Sequence, residues 1–290
     1  MKRISTQSAV LARIVVVIGV SLLCAQAGKA QTVSGSHGKV ELIAEENAVV
    51  PGRNFTVGLR FELEKGWHIY WVNPGDSGQP PRVQWSLPPG FRAGEFEWPY
   101  PKRLGTASVA DYGYEDQVLL MASLEPPAKL SPGSTVTLAA DVRWLVCREI
   151  CLPERAHLTL SLPVEKQLPK GDPAWHELFQ KTKALLPKPL PGGWKASAVA
   201  EKDDFVLTIL TGGPEKAATF FPLEPGQIEN AGPQKVNSFD RGIRLTLQKS
   251  DQLLKPVTTL NGVLVLPNGK AFRIAAPVVP VAKDKGAMAQ

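Results

Sequence analysis

Runs of alternating apolar and polar residues, broken roughly every ten positions by proline or glycine, restrict this chain to short β-strands and turns. In "NFTVGLRFELEKGWHIYW" (54–71), Phe55, Val57, Leu59, Phe61 and Leu63 fall on one face. Thr56, Arg60, Glu62 and Glu64 fall on the other. A period of two is the strand signature, and the polar side predicts a face open to water. Leu158, Leu160 and Leu162 repeat the pattern in "HLTLSLPV". "RVQWSL", "EFEWPY", "DQVLLMASL" and "TVTLAADVRWLV" read as further strands, and "NPGDSGQPP" (73–81) as a loop. Helix-like periods are rare, and 26 prolines and 25 glycines supply the turns. The fold class expected is all-β, with seven or eight strands of residues 38–166 forming a sandwich.

A connector over residues 167–193 is predicted to hold one short helix. Asp172 suits its N-cap and Pro173 its first turn. Trp175, Leu178, Phe179, Leu185 and Leu186 make an apolar stripe that predicts a packing face between domains, and Pro187 and Pro189 stop the helix. Residues 194–282 read as a second, sandwich-like β domain through "DFVLTIL", "KAATFFPL", "GIRLTLQ", "NGVLVLP" and "KAFRIAAPVV". It contains neither cysteine nor histidine, and no chemistry is expected of it. Residues 283–290 read as a flexible tail.

The N-terminus has the form of a secretory signal. Lys2, Arg3 and Arg13 precede or flank an apolar run from Ile14 to Leu23, and small residues offer cleavage after Ala27 or Ala30. Leu22-Leu23 before Cys24 is a poor match to a lipoprotein site. Removing residues 1–30 takes away Lys2, Arg3, Arg13 and Lys29 and no acid, so the net charge falls from +6 to +2. That leaves no basic footprint for nucleic acid. No later segment is long and apolar enough to span a membrane. Export places the chain in an oxidising compartment, where disulfides persist.

Of three cysteines, Cys24 goes with the signal, leaving Cys147 and Cys151 in "VRWLVCREICLPE". Val142, Trp144 and Val146 point one way in a strand, Leu152-Pro153 ends the irregular part, and 157–164 returns. The pair is therefore expected at an accessible hairpin tip. A disulfide closing about five residues removes roughly 2 kcal/mol of unfolded-state entropy, against about 4.7 for a hundred-residue loop. That is a weak staple and a good arrangement for exchange. Arg148 favours a thiolate and Glu149 opposes it. Three uses stay open from the residues alone: thiol–disulfide exchange, a static disulfide, or binding of Cu(I) or zinc by Cys147, Cys151 and His157. His37, His68 and His176 are scattered without ligand spacing. Asp203-Asp204 reads as a solvated turn, and Asn54-Phe55-Thr56 as an accidental sequon.

"VRWLVCREICLPE", with "GWHIYWVNPGDSGQPP" and "YGYEDQVLL" upstream, resembles the N-terminal periplasmic domain of the DsbD/ScsB thiol–disulfide reductases. The likeness covers residues 38–166. The two-domain form, with "ATFFPLEPGQIENAGPQ" in the second half, is closer to the ScsB branch. The resemblance implies an immunoglobulin-like sandwich and a role as a protein-disulfide reductase component of the periplasm, with no cofactor. Its electrons would come from a membrane donor of the DsbD/ScsB type and pass to disulfides of thioredoxin-fold periplasmic proteins, including those of cytochrome maturation. It implies that Cys151 attacks the partner's disulfide and that Cys147 resolves the mixed disulfide. It also implies a cap loop over the sulfurs, for which "VADYGYEDQ" (109–117), with Asp111, Tyr112, Tyr114 and Glu115, is the candidate. Tyr112 and Tyr114 read equally as core aromatics at the start of a strand. Family members continue into a multi-helix membrane domain, and the sequence ends at Gln290 without one. The expectation is a free-standing donor or a truncated chain, with a copper-tolerance role for the same cysteines as the alternative.

Overall fold

The computed structural model of the protein describes residues 31–105, 108–167 and 173–280. The signal of residues 1–30, the Asp172 cap and the tail of residues 283–290 lie outside the described residues.

Two sheets face each other across the first core. One runs in the order β1 (Thr32–Ser34), β2 (Gly38–Ala44), β3 (Phe55–Leu63), β9 (Gln117–Glu125) and β6 (Arg92–Glu97). The other runs β11 (Cys151–Pro163), β10 (Thr135–Cys147), β4 (His68–Gly75), β8 (Ala110–Glu115) and β7 (Lys102–Gly105), with β5 (Arg82–Ser86) paired to β10. Alternation decides what faces inward. Val57, Leu59 and Phe61 of β3 meet Ile69 and Trp71 of β4, Val142 of β10, and Leu158 and Leu160 of β11, all nearly inaccessible to solvent. Each such side chain contributes about 1.5–3 kcal/mol on burial. The architecture is the all-β, immunoglobulin-like one.

Two local expectations change. Asn73-Pro74-Gly75 is not loop: β4 continues through it after a register shift between Tyr70 and Gly75. The outer face of the first sheet is not wet either. Ile43, Leu119 and Met121 point outward there, and helix α1 (Pro173–Leu185) lays Phe179 on them. The Arg60 guanidinium, held by Glu41 and Glu62, sits 5.1 Å from the Trp175 ring centre. The helix therefore caps the first sandwich rather than filling a gap between two. A strand sequence that is apolar on both faces at the sheet centre requires such a cover.

The remaining strands form one hydrogen-bonded path: β14 (Thr219–Pro222), β17 (Thr259–Val265), β18 (Ala271–Pro280), β12 (Lys195–Ala200), β13 (Asp204–Leu210), β16 (Gly242–Gln248) and β15 (Lys235–Phe239). β18 changes partner along its length. It is antiparallel to β17 up to Pro277 and parallel to β12 from Val278. The path thereby folds over itself, and Phe220, Leu260 and Ile274 from one half pack with Leu207, Ile209 and Leu245 from the other. Phe221, Val263 and Ala271 face away from that core and join the first one, where Phe221 meets Trp71 and Tyr112 edge-on, with ring centres 6.3 and 5.3 Å apart.

Candidate functional site: the disulfide hairpin

β10 and β11 form a hairpin in register from Thr135↔Pro163 to Cys147↔Cys151, leaving Arg148, Glu149 and Ile150 as its tip. Valine, threonine and leucine alternation holds the two strands along their whole length, and the Arg148 N–H donates to the Ile150 carbonyl at 3.1 Å to close the turn. Cys147 and Cys151 are joined by a disulfide, with Cα atoms 4.2 Å apart. Their environments differ. Cys147 is 2% exposed, flanked on its other side by His68 of β4. Cys151 is exposed.

Beneath Cys151 lies a polar network that the sequence reading did not single out. The Tyr70 hydroxyl is 3.3 Å from Cys151 Sγ and 3.4 Å from Ser77 Oγ. Ser77 donates from its N–H (2.9 Å) and its Oγ (2.9 and 3.0 Å) to the Asp111 carboxylate. Gly78, at φ +73°, lets the loop after β4 press onto the Tyr70 ring. A Cβ there would lie 2.0 Å from Tyr70 Cζ. Burial raises the Tyr70 pKa, so its hydroxyl stays protonated and able to donate to sulfur. His68 Nε2 is buried without a hydrogen-bond partner among the described residues, 4.0 Å from Asp111 Oδ2. Burial lowers its pKa against the pull of Asp111 and Glu115, leaving a neutral imidazole at pH 7. On the hairpin's other flank, the Arg148 guanidinium lies 5.2 Å from the centre of the Trp67 ring, which stacks on His37 at 3.6 Å. These contacts hold the tip in place. Tyr70, Ser77, His68 and Trp67 all fall within "GWHIYWVNPGDSGQPP"; the signal available was the dense polar and aromatic content of a strand otherwise reading as core.

The four cap candidates separate by face. Segment 109–117 is not a loop: β8 takes up residues 110–115, and Asp116 (φ 59°) turns the chain into β9. Gly113 permits the close pairing with β4, since a Cβ would stand 2.2 Å from the Ile69 carbonyl oxygen. Asp111 and Glu115 share the sulfur-bearing face. Glu115 pairs with His68, which in turn pairs with Cys147, and its carboxylate meets Lys102 Nζ at 3.2 Å. Tyr112 and Tyr114 point the opposite way, into the core. Their hydroxyls donate to Asn230 Oδ1 (3.0 Å) and to the Pro99 carbonyl (2.6 Å), and burial raises the pKa of both. Period two sends residues 112 and 114 to one side and 111 and 115 to the other. His157, six residues along β11 from Cys151, is roughly 20 Å away at strand rise and engages Asp141 at 2.9 Å. No cluster of three or more metal-ligating side chains occurs among the described residues.

Residues 39–163 match the model of the family described as thiol:disulfide interchange protein DsbD, N-terminal. Among solved structures, the N-terminal periplasmic domain of ScsB from Proteus mirabilis aligns over 87% of this chain and 98% of its own, with a TM-score of 0.64 and 17% identity. At that identity the likeness is one of fold, and it extends over both β regions. A protein of unknown function from Porphyromonas gingivalis W83 aligns over 82% of this chain and 98% of its own at 13% identity, with a TM-score of 0.23, too low to carry a structural argument. Among curated proteins no sequence matches the chain. The hairpin and its cysteine pair thus lie within residues 39–163, the stretch that matches the family of DsbD N-terminal domains.

Proposed function

We propose that the protein is a periplasmic thiol–disulfide exchange component that passes electrons through Cys147 and Cys151 to disulfides of thioredoxin-fold partners. The observation that carries the reading is the asymmetry of the pair. One sulfur is open to an incoming protein, and the other is shielded directly beside it. In the reduced protein the Cys151 thiolate attacks one sulfur of the partner's disulfide. The S–S bond breaks, the partner's second sulfur leaves as a thiolate, and Cys151 is held in a mixed disulfide. The Cys147 thiolate then attacks Cys151 Sγ and releases the partner's first sulfur. Two electrons have moved, the partner holds a dithiol after taking up two protons, and Cys147–Cys151 is again a disulfide. A dithiol of a membrane electron donor resets the pair by the reverse sequence, also through Cys151. The Tyr70 hydroxyl, 3.3 Å from that sulfur, supports the thiolate by donating to it. Asp111 holds Ser77, and with it the loop over Tyr70, in place.

Reduced Cys147→Ser protein mixed with an oxidised thioredoxin-fold protein is expected to accumulate a mixed disulfide through Cys151, read on non-reducing gels and by mass spectrometry. Cys151→Ser is expected to trap nothing. Trapping by neither variant, or a reduction potential below about −300 mV, where structural disulfides lie, would make the bond a permanent staple.

A further inference from the structure

On the face of the second sheet that carries the sulfurs, the side chains form rows across paired strands. Moving away from Cys147–Cys151 come Leu145 with Pro153, then Arg143 with Arg155. β5 adds Arg82 directly beside Arg143, so three arginines stand in one row on neighbouring strands. Like charges directly opposite one another destabilise a sheet, and among the described residues no carboxylate stands within ion-pair distance of the three. All three are exposed, and the arginine ion pairs among the described residues are those of Arg53, Arg60 and Arg92. Glu154 is turned to the Ser36 N–H at 2.9 Å, and Asp141, one row further on, is engaged by His157. Between the row and the hairpin tip lies an open groove of about 490 Å³, lined by Pro80, Leu145, Pro153, the three arginines and one carboxylate, Glu154. Arg155 is four residues from Cys151, roughly 13 Å at strand rise.

We infer that Arg82, Arg143 and Arg155 form the docking row for an acidic segment of the disulfide-bearing partner, with the segment's apolar stem in the groove and its cysteine delivered to Cys151. The inference takes its partner from the exchange reading above. The row supplies what that reading lacks, a means of choosing among disulfides. Exposed charges act mainly on encounter and are screened within about 10 Å at 0.1 M salt. The partner's carboxylates belong about four extended residues from its reactive sulfur, matching the 13 Å separation.

The test uses the reduced mature protein and three oxidants. One is the disulfide-linked dimer of a short peptide with glutamates placed four residues from its cysteine. The second is the same dimer with glutamines, and the third is uncharged hydroxyethyl disulfide. At low salt the acidic dimer is expected to react roughly ten-fold faster than the glutamine dimer, within the range of electrostatic steering. The advantage disappears at high salt and in the Arg82→Gln/Arg143→Gln/Arg155→Gln variant. Hydroxyethyl disulfide reacts equally with both proteins, and the variant melts no lower than the parent. No advantage for the acidic dimer, or one that survives in the variant, overturns the docking row. Arginine-dependent binding to phosphatidylglycerol vesicles without a peptide preference overturns it in favour of a membrane surface. If the parent fails to react even with hydroxyethyl disulfide, it is the exchange reading that falls. Fluorescence anisotropy with a cysteine-free acidic peptide then judges the row alone, binding lost in the variant supporting it and absence of binding overturning it.

Discussion

The two β regions use the same means of stability and differ in where they place polarity. The C-terminal path buries a core of leucine, isoleucine and phenylalanine. The N-terminal sandwich buries a larger core and adds, on one outer face, an accessible sulfur pair above a neutral histidine and above a tyrosine and a carboxylate that a single loop holds. That loop is braced from the other region. Asn230 Nδ2 donates to Asp76 Oδ1 at 2.8 Å, and Asn73 Nδ2 to the Pro222 carbonyl at 2.8 Å. The comparison teaches that the second region, which holds no cysteine or histidine, contributes to the site by fixing the residues beside Ser77.

The largest effect that tests this division is Leu207→Ala, a truncation in the C-terminal core. It is expected to cost about 2–5 kcal/mol in urea unfolding, while the exchange rate per folded molecule stays unchanged. A fall in that rate would show that the cores are coupled to the chemistry directly. Next is Asn230→Ala, which leaves the Tyr112 hydroxyl and Asp76 Oδ1 without this partner. It is expected to lower stability by about 1–3 kcal/mol and to speed amide hydrogen exchange over residues 76–78. Unchanged protection there would mean the brace is ornamental. The smallest is Tyr70→Phe, expected to raise the Cys151 thiol pKa by about one unit, or about 1.4 kcal/mol, read from thiolate absorbance. Because Tyr70 itself stays protonated, the exchange rate should fall only at pH values below the variant's thiol pKa and converge with the parent above it. A uniform loss at all pH values would assign Tyr70 a packing role alone.

Much of this was present in the residue pattern. Alternation through Val142, Trp144 and Val146, answered by Leu158 to Leu162, specifies the hairpin, because a two-residue period with one buried face fixes register. The same rule, applied to "ADYGYE", separates Asp111 and Glu115 from the two tyrosines. It is obscured by the cap loop that the family resemblance implies for this segment. What alternation does not reveal is contact at long range. Tyr70 and Cys151 are 81 positions apart, and Tyr112 and Asn230 are 118 apart. The helix itself was legible, and only its seat on the outer face of the first sheet escaped, for a related reason. Arg60 and Glu62 look like residues in water, yet they pair with each other, and Arg60 also with Glu41, under Trp175.

Phe221 is carried by the C-terminal strands but seated among Trp71 and Tyr112 of the first core. A shuffled gene that inherited only residues 39–163 would receive the disulfide hairpin together with a hollow the size of a benzyl group beside its central tryptophan. The heritable module is therefore longer than the segment that carries the disulfide, and surgery at the proline-rich connector would have to refill that hollow before the sulfurs could be judged on their own.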